Sequence, residues 1–138
     1  MKNKPRILAL RAANPLRWSG LLSLPLFAWL VWQADRGALP GWVGGLVALP
    51  GMDKVLHFTL VGVLAWCVNL GLSWRRLRLF SRELLLGSLL VFGLATLEEF
   101  SQAFLSLRDF SWLDLAANYL GIYAAGLFAG RPKDEKQG

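Results

Sequence analysis

Two stretches of the sequence combine carboxylates, an imidazole, amides and basic groups at spacings that could support chemistry. The first reads DKVLHF, from Asp53 to Phe58, and its Asp53 and His57 lie four residues apart, hence on one helical face. The second runs from Glu98 to Gly121 and carries the polar residues Glu98, Glu99, Gln102, Arg108, Asp109, Ser111, Asp114 and Asn118. Carboxylates near an imidazole suit proton transfer, and lysine or arginine suits the binding of an anion.

The surroundings of both stretches are unusually apolar. The 138-residue chain is 55% hydrophobic and 17% charged, with a mean hydropathy of +0.44. Soluble domains carry about 25% charged residues, so this composition indicates one polytopic membrane domain. Polar groups at the edge of hydrocarbon are costly unless they are paired, hydrated or used. The two stretches are therefore the first candidates for a functional site.

Four apolar runs must position these residues. They extend from Trp18 to about Trp32, from Asp53 to Trp74, from about Glu83 to Leu97, and from about Trp112 to Ala129. We predict an all-α fold, an integral membrane four-helix bundle over residues 18–130, between a basic segment (1–17) and a polar tail (131–138). The first helix is predicted to be retained, because no cleavage site follows it, and to be bent or broken at Pro25. Residues 35–52 are rich in glycine and proline and predict an ordered outer loop at the membrane interface.

The basic residues orient this bundle. Twelve of the fifteen lysines and arginines fall in the N-terminal segment, the loop between the second and third helices, and the tail. Because lysine and arginine concentrate on the cytoplasmic side, both termini are predicted to be cytoplasmic. The two polar stretches then share the outer membrane–water boundary. This clustering of basic residues in loops also argues against nucleic-acid binding.

The same two stretches resemble the VanZ-like family of membrane proteins. The matching residues are the motif DKVLHF and a series formed by Glu99, Gln102, Arg108, Asp114, Asn118 and Gly121. The resemblance implies a small multi-pass protein of the bacterial cytoplasmic membrane. The family takes its name from a member associated with resistance to the glycopeptide antibiotic teicoplanin, and its biochemical activity is undefined.

We predict that the protein acts on, or binds, an anionic envelope lipid or lipid-linked precursor at the outer face. Acid–base catalysis, if the protein is an enzyme, is assigned to His57, Glu99 and Asp114. Substrate binding is assigned to Asp53, Lys54, Gln102, Arg108 and Asn118, with Lys54 and Arg108 contacting the anion. A metal site could be assembled from His57, Glu99 and Asp114, but no ligand-spacing motif supports it and one histidine is few, so no metal site is predicted. The sequence identifies no cofactor.

Structural explanations exist for several of these residues. Ser111 and Asp114 form a capping-box pattern, and Asp53 is a candidate N-cap. His57 could be a packed, hydrogen-bonded histidine. Successive residues point about 100° apart on a helix, so we expect Glu99 rather than Glu98 to face the bundle. The alternative functions are a non-enzymatic binding or assembly subunit and, less favoured, a transporter component.

Small residues four apart in the last run predict close helix packing. They are Ala117, Gly121 and Ala125, a small-xxx-small series. Such a series can pack within one chain or between copies of the chain, so a homo-oligomer formed through this helix is one of the predicted partners.

Overall fold

The computed structural model describes residues 15–104 and 109–129. The elements in these ranges are α1 (Pro15–Asp35), α2 (Gly41–Val47), α3 (Met52–Gly71), β1 (Arg76–Leu79), β2 (Arg82–Leu85), α4 (Leu86–Gln102) and α5 (Trp112–Leu127). The prediction of a predominantly helical chain is confirmed. Arg108, the first fourteen residues of the basic segment and the polar tail lie outside the described residues.

The bundle is built around α3, which contacts each of the other four helices. Its buried side chains recur every three or four residues, on one face of the helix, and pack against apolar residues of α4 and α5. This core consists of Val61, Leu64, Ala65, Val68, Val91, Ala95, Ile122 and Ala125. The charged residues of the four longer helices all lie in their terminal turns. Among the described residues, the charged groups of the bundle therefore concentrate at its two ends.

Small residues bring α3 and α5 into backbone contact. A Cβ atom on Gly121 would overlap the backbone oxygen of Phe58, and one on Gly62 would lie 3.0 Å from the backbone oxygen of Gly121. Ala117 and Ala125, one turn to either side of Gly121, are also buried. The predicted close packing of this series is confirmed. Contacts between the two helices advance together along both, from Lys54 with Asp114, through His57 with Asn118, to Gly62 with Gly121, so α3 and α5 run in the same direction.

The other two long helices run against α3. Near the start of α1, the Arg17 Nε donates a hydrogen bond of 3.3 Å to the Gly71 carbonyl at the end of α3. The end of α4 lies beside the beginnings of α3 and α5. Of the two predicted outcomes at Pro25, a break is wrong, because α1 continues through this residue, and a bend stays a prediction. A proline removes one helical hydrogen bond without preventing those of the neighbouring turns.

A β-hairpin replaces the predicted start of the third helix. The strands β1 and β2 pair antiparallel, with Arg78 opposite Glu83 and Leu79 opposite Arg82. Their two turn residues, Phe80 and Ser81, have φ values of 46° and 68°. Two successive residues with positive φ match the twist of a tight hairpin. The helix that was predicted from about Glu83 therefore begins at Leu86, and one short hairpin accompanies the otherwise helical fold.

The glycine- and proline-rich loop, which was predicted to lie on the outer side, contains one short helix, α2, preceded by Pro40. Not all of the four predicted membrane spans correspond to helices that meet length and composition criteria for crossing a membrane. Among the described residues, only α3 is long and apolar enough to cross a membrane on these criteria. The shorter α4 and α5 have 17 and 16 residues.

Candidate functional site

One end of the bundle gathers polar side chains from three helices. The first turns of α3 and α5 and the last turns of α4 meet there, because α3 and α5 run parallel and α4 runs against them. Four polar residues at this end are buried, namely Glu99, Gln102, Asp114 and Asn118. Asp53, Lys54 and His57 are partly exposed beside them. We call these seven residues the polar cluster.

The N-terminus of α5 is capped by residues from two helices. Ser111 is the N-cap, and its side-chain oxygen accepts a hydrogen bond of 3.3 Å from the Asp114 backbone N–H. This half of the predicted capping box is confirmed. The Ser111 backbone N–H donates to Oε1 of Glu99 at 2.8 Å. Glu99 thus docks the end of α4 onto the start of α5, and the Asp114 carboxylate is left for other partners.

Asp114 faces two residues of α3. Its Oδ1 lies 2.7 Å from Nζ of Lys54, and its Oδ2 lies 3.9 Å from Nε2 of His57. Lys54 also binds Oδ2 of Asp53 at 2.5 Å. The prediction that Asp53 is a candidate N-cap of α3 is wrong. The N-cap is Gly51, whose φ of 76° is left-handed, and Asp53 lies within the first turn.

His57 links α3 to α5 through a buried amide. Its Nδ1 donates a hydrogen bond of 3.1 Å to Oδ1 of Asn118, because a carbonyl oxygen can only accept. Neutral His57 then carries its proton on Nδ1, and its Nε2 presents a lone pair towards Asp114. A histidine orientation fixed in this way by its second nitrogen is typical of catalytic and metal-binding imidazoles.

The two glutamates of α4 differ in environment. Glu99 is fully buried, which confirms that Glu99 faces the bundle, whereas Glu98 is half-buried. Gln102 donates from Nε2 to Oε1 of Glu98, one turn away on the same helix, at 2.5 Å. Gln102 therefore supports Glu98 rather than contacting the Glu99 carboxylate. Its predicted role in substrate binding stays a prediction.

The structure brings His57, Glu99 and Asp114 together, with ligand atoms from the three residues within 4.8 Å of one another. Asn118 and Lys54 contact this trio directly. Lys54 is already bound by two carboxylates, so it is not a free cation for an incoming anion. Arg108, the other predicted anion ligand, lies outside the described residues.

Sequence reasoning missed a second polar contact, at the opposite end of the bundle. Asn69 is fully buried; its Nδ2 donates to Oγ of Ser88 at 2.8 Å, and its Oδ1 accepts from the Ser88 backbone N–H at 3.1 Å. Asn69 therefore caps the first turn of α4 from α3. A lone asparagine deep in an apolar run is the signal that could have identified it, because a buried amide requires partners.

Comparison of the chain with protein-family models, with curated proteins and with solved structures found no match.

Proposed function

We propose that the protein is a VanZ-like, multi-pass protein of the bacterial cytoplasmic membrane. In this proposal the polar cluster lies at the outer face and engages an anionic envelope lipid or lipid-linked precursor. One observation supports this proposal above all. Ionisable groups joined by ion pairs and hydrogen bonds are buried at one end of a helical bundle whose sides are apolar.

The apolar sides support a lipid environment. Every helix exposes large hydrophobic side chains, including Leu22 at 65%, Leu97 at 69% and Leu127 at 68%. Large contiguous apolar surfaces are rare on soluble monomers. At about 1.5 Å per residue, α4 and α5 rise roughly 24–26 Å, somewhat less than a hydrocarbon core of about 30 Å. Local thinning of the bilayer or tilting of neighbouring helices accommodates such a mismatch at modest cost.

The two ends of the bundle differ in charge among the described residues. The end with the hairpin carries Arg17, Arg75, Arg76, Arg78 and Arg82 against one acid, Glu83. The end with the polar cluster carries Asp35, Asp53, Glu98, Glu99, Asp109 and Asp114 against Arg36 and Lys54. This polarity favours the hairpin end as the cytoplasmic one. Exposed tryptophans near both ends, such as Trp18 and Trp112, fit interfacial belts.

An apolar groove between α3 and α5 supports an amphiphilic ligand. Its volume is about 230 Å³, and Phe58, Gly62, Trp66, Gly121 and Phe128 are among its lining residues. Phe58 follows His57 directly in the chain, so the groove begins next to the polar cluster. A lipid could place an acyl or prenyl chain along the groove and its headgroup at the cluster.

Topology reporters test the location. Fusions at Gly45 and Gly138 in a bacterial host should report opposite sides, with Gly138 cytoplasmic. A cytoplasmic Gly45 would move the polar cluster to the inner face and refute the envelope proposal. Resistance of the protein to extraction from membranes by alkaline carbonate is the accompanying measurement.

Lipid binding and susceptibility test the activity. Native mass spectrometry of the purified protein should show retention of phosphatidylglycerol or a polyprenyl phosphate over zwitterionic phosphatidylcholine. Expression should raise the teicoplanin concentration needed to inhibit growth, relative to an empty vector. Equal retention of all three lipids together with unchanged susceptibility would favour the assembly-subunit alternative, in which the cluster only locks the helices.

A further inference from the structure

The polar cluster contains buried atoms that the described residues leave without hydrogen-bond partners. They are Glu99 Oε2, Asp114 Oδ1 and Asn118 Nδ2. Asp114 Oδ1 is nevertheless compensated by the Lys54 ammonium at 2.7 Å. Within residues 15–104 and 109–129, Glu99 Oε2 has no such neighbour, although the Glu99 side chain is fully buried. A buried carboxylate oxygen without a partner is costly and calls for a cation or a donor.

The geometry around Glu99 suits a metal ion. His57, Glu99 and Asp114 each offer one ligand atom, and these atoms lie within 4.8 Å of one another. Ligands about 2.1 Å from a tetrahedral metal lie about 3.4 Å apart. The observed separation of 3.9 Å between His57 Nε2 and Asp114 Oδ2 is thus close to the required value. Small side-chain rotations would close the remaining difference.

The hydrogen bond of His57 prepares the imidazole for coordination. Metal-binding histidines usually donate their second ring N–H to an oxygen, which fixes the tautomer. Asn118 Oδ1 provides that oxygen here, at 3.1 Å from Nδ1. The unprotonated Nε2 then faces Asp114 Oδ2 at a distance too long for a direct hydrogen bond. A cation between them would be attracted to both atoms.

We propose that His57, Glu99 and Asp114 bind a divalent transition-metal ion, with Asn118 positioning His57. One nitrogen and two carboxylate oxygens suit Zn²⁺ or Mn²⁺ and leave at least one coordination position open. This proposal departs from the expectation from sequence that no metal binds, since the three ligands come from three helices and leave no linear motif.

The ion would also change the charge presented to a ligand. Lys54 is occupied by Asp53 and Asp114, and the cluster otherwise contributes carboxylates. An open position on a divalent ion would bind a phosphate oxygen at this acidic end. This last step rests on the proposed function, whereas the metal site itself does not.

The test uses the full chain in detergent, purified through a tag that binds no metal and stripped with a chelator. Elemental analysis after addition of Zn²⁺ or Mn²⁺ should give about one ion per chain, and Tm should rise by several degrees. Co²⁺ should give visible absorption bands of a nitrogen- and oxygen-ligated site. Absence of a Tm shift with Zn²⁺ and Mn²⁺, together with no Co²⁺ bands, overturns the proposal.

Variants locate the ion. His57→Gln, Glu99→Gln and Asp114→Asn should each weaken binding by about 100-fold or more, whereas Glu98→Gln, on the neighbouring carboxylate, should bind as the unmodified chain does. Asn118→Ala should weaken binding by roughly 10- to 100-fold, as expected for an outer-sphere partner. Circular dichroism and gel filtration select the variants that fold. Equal binding by all folded variants would place the ion elsewhere and refute this site.

The outcome of the metal-binding test is independent of whether the protein binds lipid. If the metal binds but anionic lipids are not retained, the metal site stands and the proposed function fails. If lipids are retained by the stripped protein and no metal binds, the proposed function stands and the metal site fails.

Discussion

Glu99 completes the N-terminal cap of a helix to which it does not belong. Its Oε1 accepts the backbone N–H of Ser111, the N-cap of α5, at 2.8 Å. In a capping box this N–H is bound by the side chain three residues after the cap, which is Asp114 here. Because Glu99 replaces it, the Asp114 carboxylate can bind Lys54 and approach His57. This hydrogen bond between α4 and α5 thereby leaves the Asp114 carboxylate available to the residues of α3.

Substitution of Glu99 should separate its structural and chemical roles. Glu99→Gln keeps an oxygen acceptor for the Ser111 N–H, so the protein should accumulate and unfold near the unmodified Tm. Glu99→Ala leaves this N–H without its acceptor and should lose about 1–3 kcal/mol of stability. Thermal unfolding in detergent measures both. Glu99→Gln should nevertheless abolish any effect on teicoplanin susceptibility, and full activity of this variant would mean that the carboxylate is only structural.

The ion pair between Lys54 and Asp114 should contribute measurably to the contact of α3 with α5. Lys54→Met leaves a largely buried carboxylate unpaired, but the lysine is about one-third exposed, so the loss should be about 1–2 kcal/mol. In the double variant with Asp114→Asn, the two losses should not add. The control Asp53→Asn removes the charge of a partly exposed neighbour that also binds Lys54, and its loss should stay within about 0.5 kcal/mol. Strict additivity in unfolding measurements would show that the pair contributes nothing.

The contact between α3 and α5 should not tolerate a methyl group at its closest point. Gly121→Ala would place Cβ against the Phe58 carbonyl, force the helices apart and destabilise the protein by about 1–3 kcal/mol or more. Gly93→Ala is the matched control, since a Cβ there meets no atom within 4 Å. Alanine also favours the helix over glycine by up to about 1 kcal/mol, so this control should be neutral or stabilising. A Gly121→Ala variant as stable as the control would contradict the described packing.

The buried amide of Asn69 should matter for folding and not for the polar cluster. Asn69→Ala removes both hydrogen bonds to Ser88 and should cost about 1–3 kcal/mol. Ser88→Ala removes the hydroxyl but keeps the backbone N–H that Asn69 accepts, so its cost should be smaller. Metal and lipid binding should be unchanged in both, because the pair lies at the other end of the bundle. Altered metal affinity in folded Asn69→Ala would contradict this independence.

Helical content and the shared location of the polar residues could be predicted from the sequence, because apolar runs and charge placement are local patterns. The burial of Glu99 rather than Glu98 followed from the angle between successive helical residues. The hairpin could not be predicted in this way. Phe80 and Ser81 adopt positive φ, although neither is the glycine that usually indicates such a turn. The leucines and arginines around them are equally compatible with the start of a helix.

The partners of the site residues could not be predicted from the sequence either. The spacing of Ser111 and Asp114 correctly predicts the cap, but the donation of the Ser111 N–H to Glu99 depends on how α4 meets α5. Likewise, Lys54 was expected to face an external anion, and the structure pairs it with Asp53 and Asp114. Tertiary packing decides between such alternative partners, and the local spacing of residues along the sequence does not reveal it.

The cap formed between α4 and α5 has a consequence for biosynthesis. The ribosome completes Glu99 before it makes Ser111, so α4 must enter its environment with a carboxylate that has not yet met its donor. Oε1 of Glu99 gains its Ser111 donor only after the first turn of α5 has formed and docked. Packing of α5 is therefore coupled to the hydrogen bonding of a carboxylate on α4, and a nascent chain arrested before Ser111 would lack this contact.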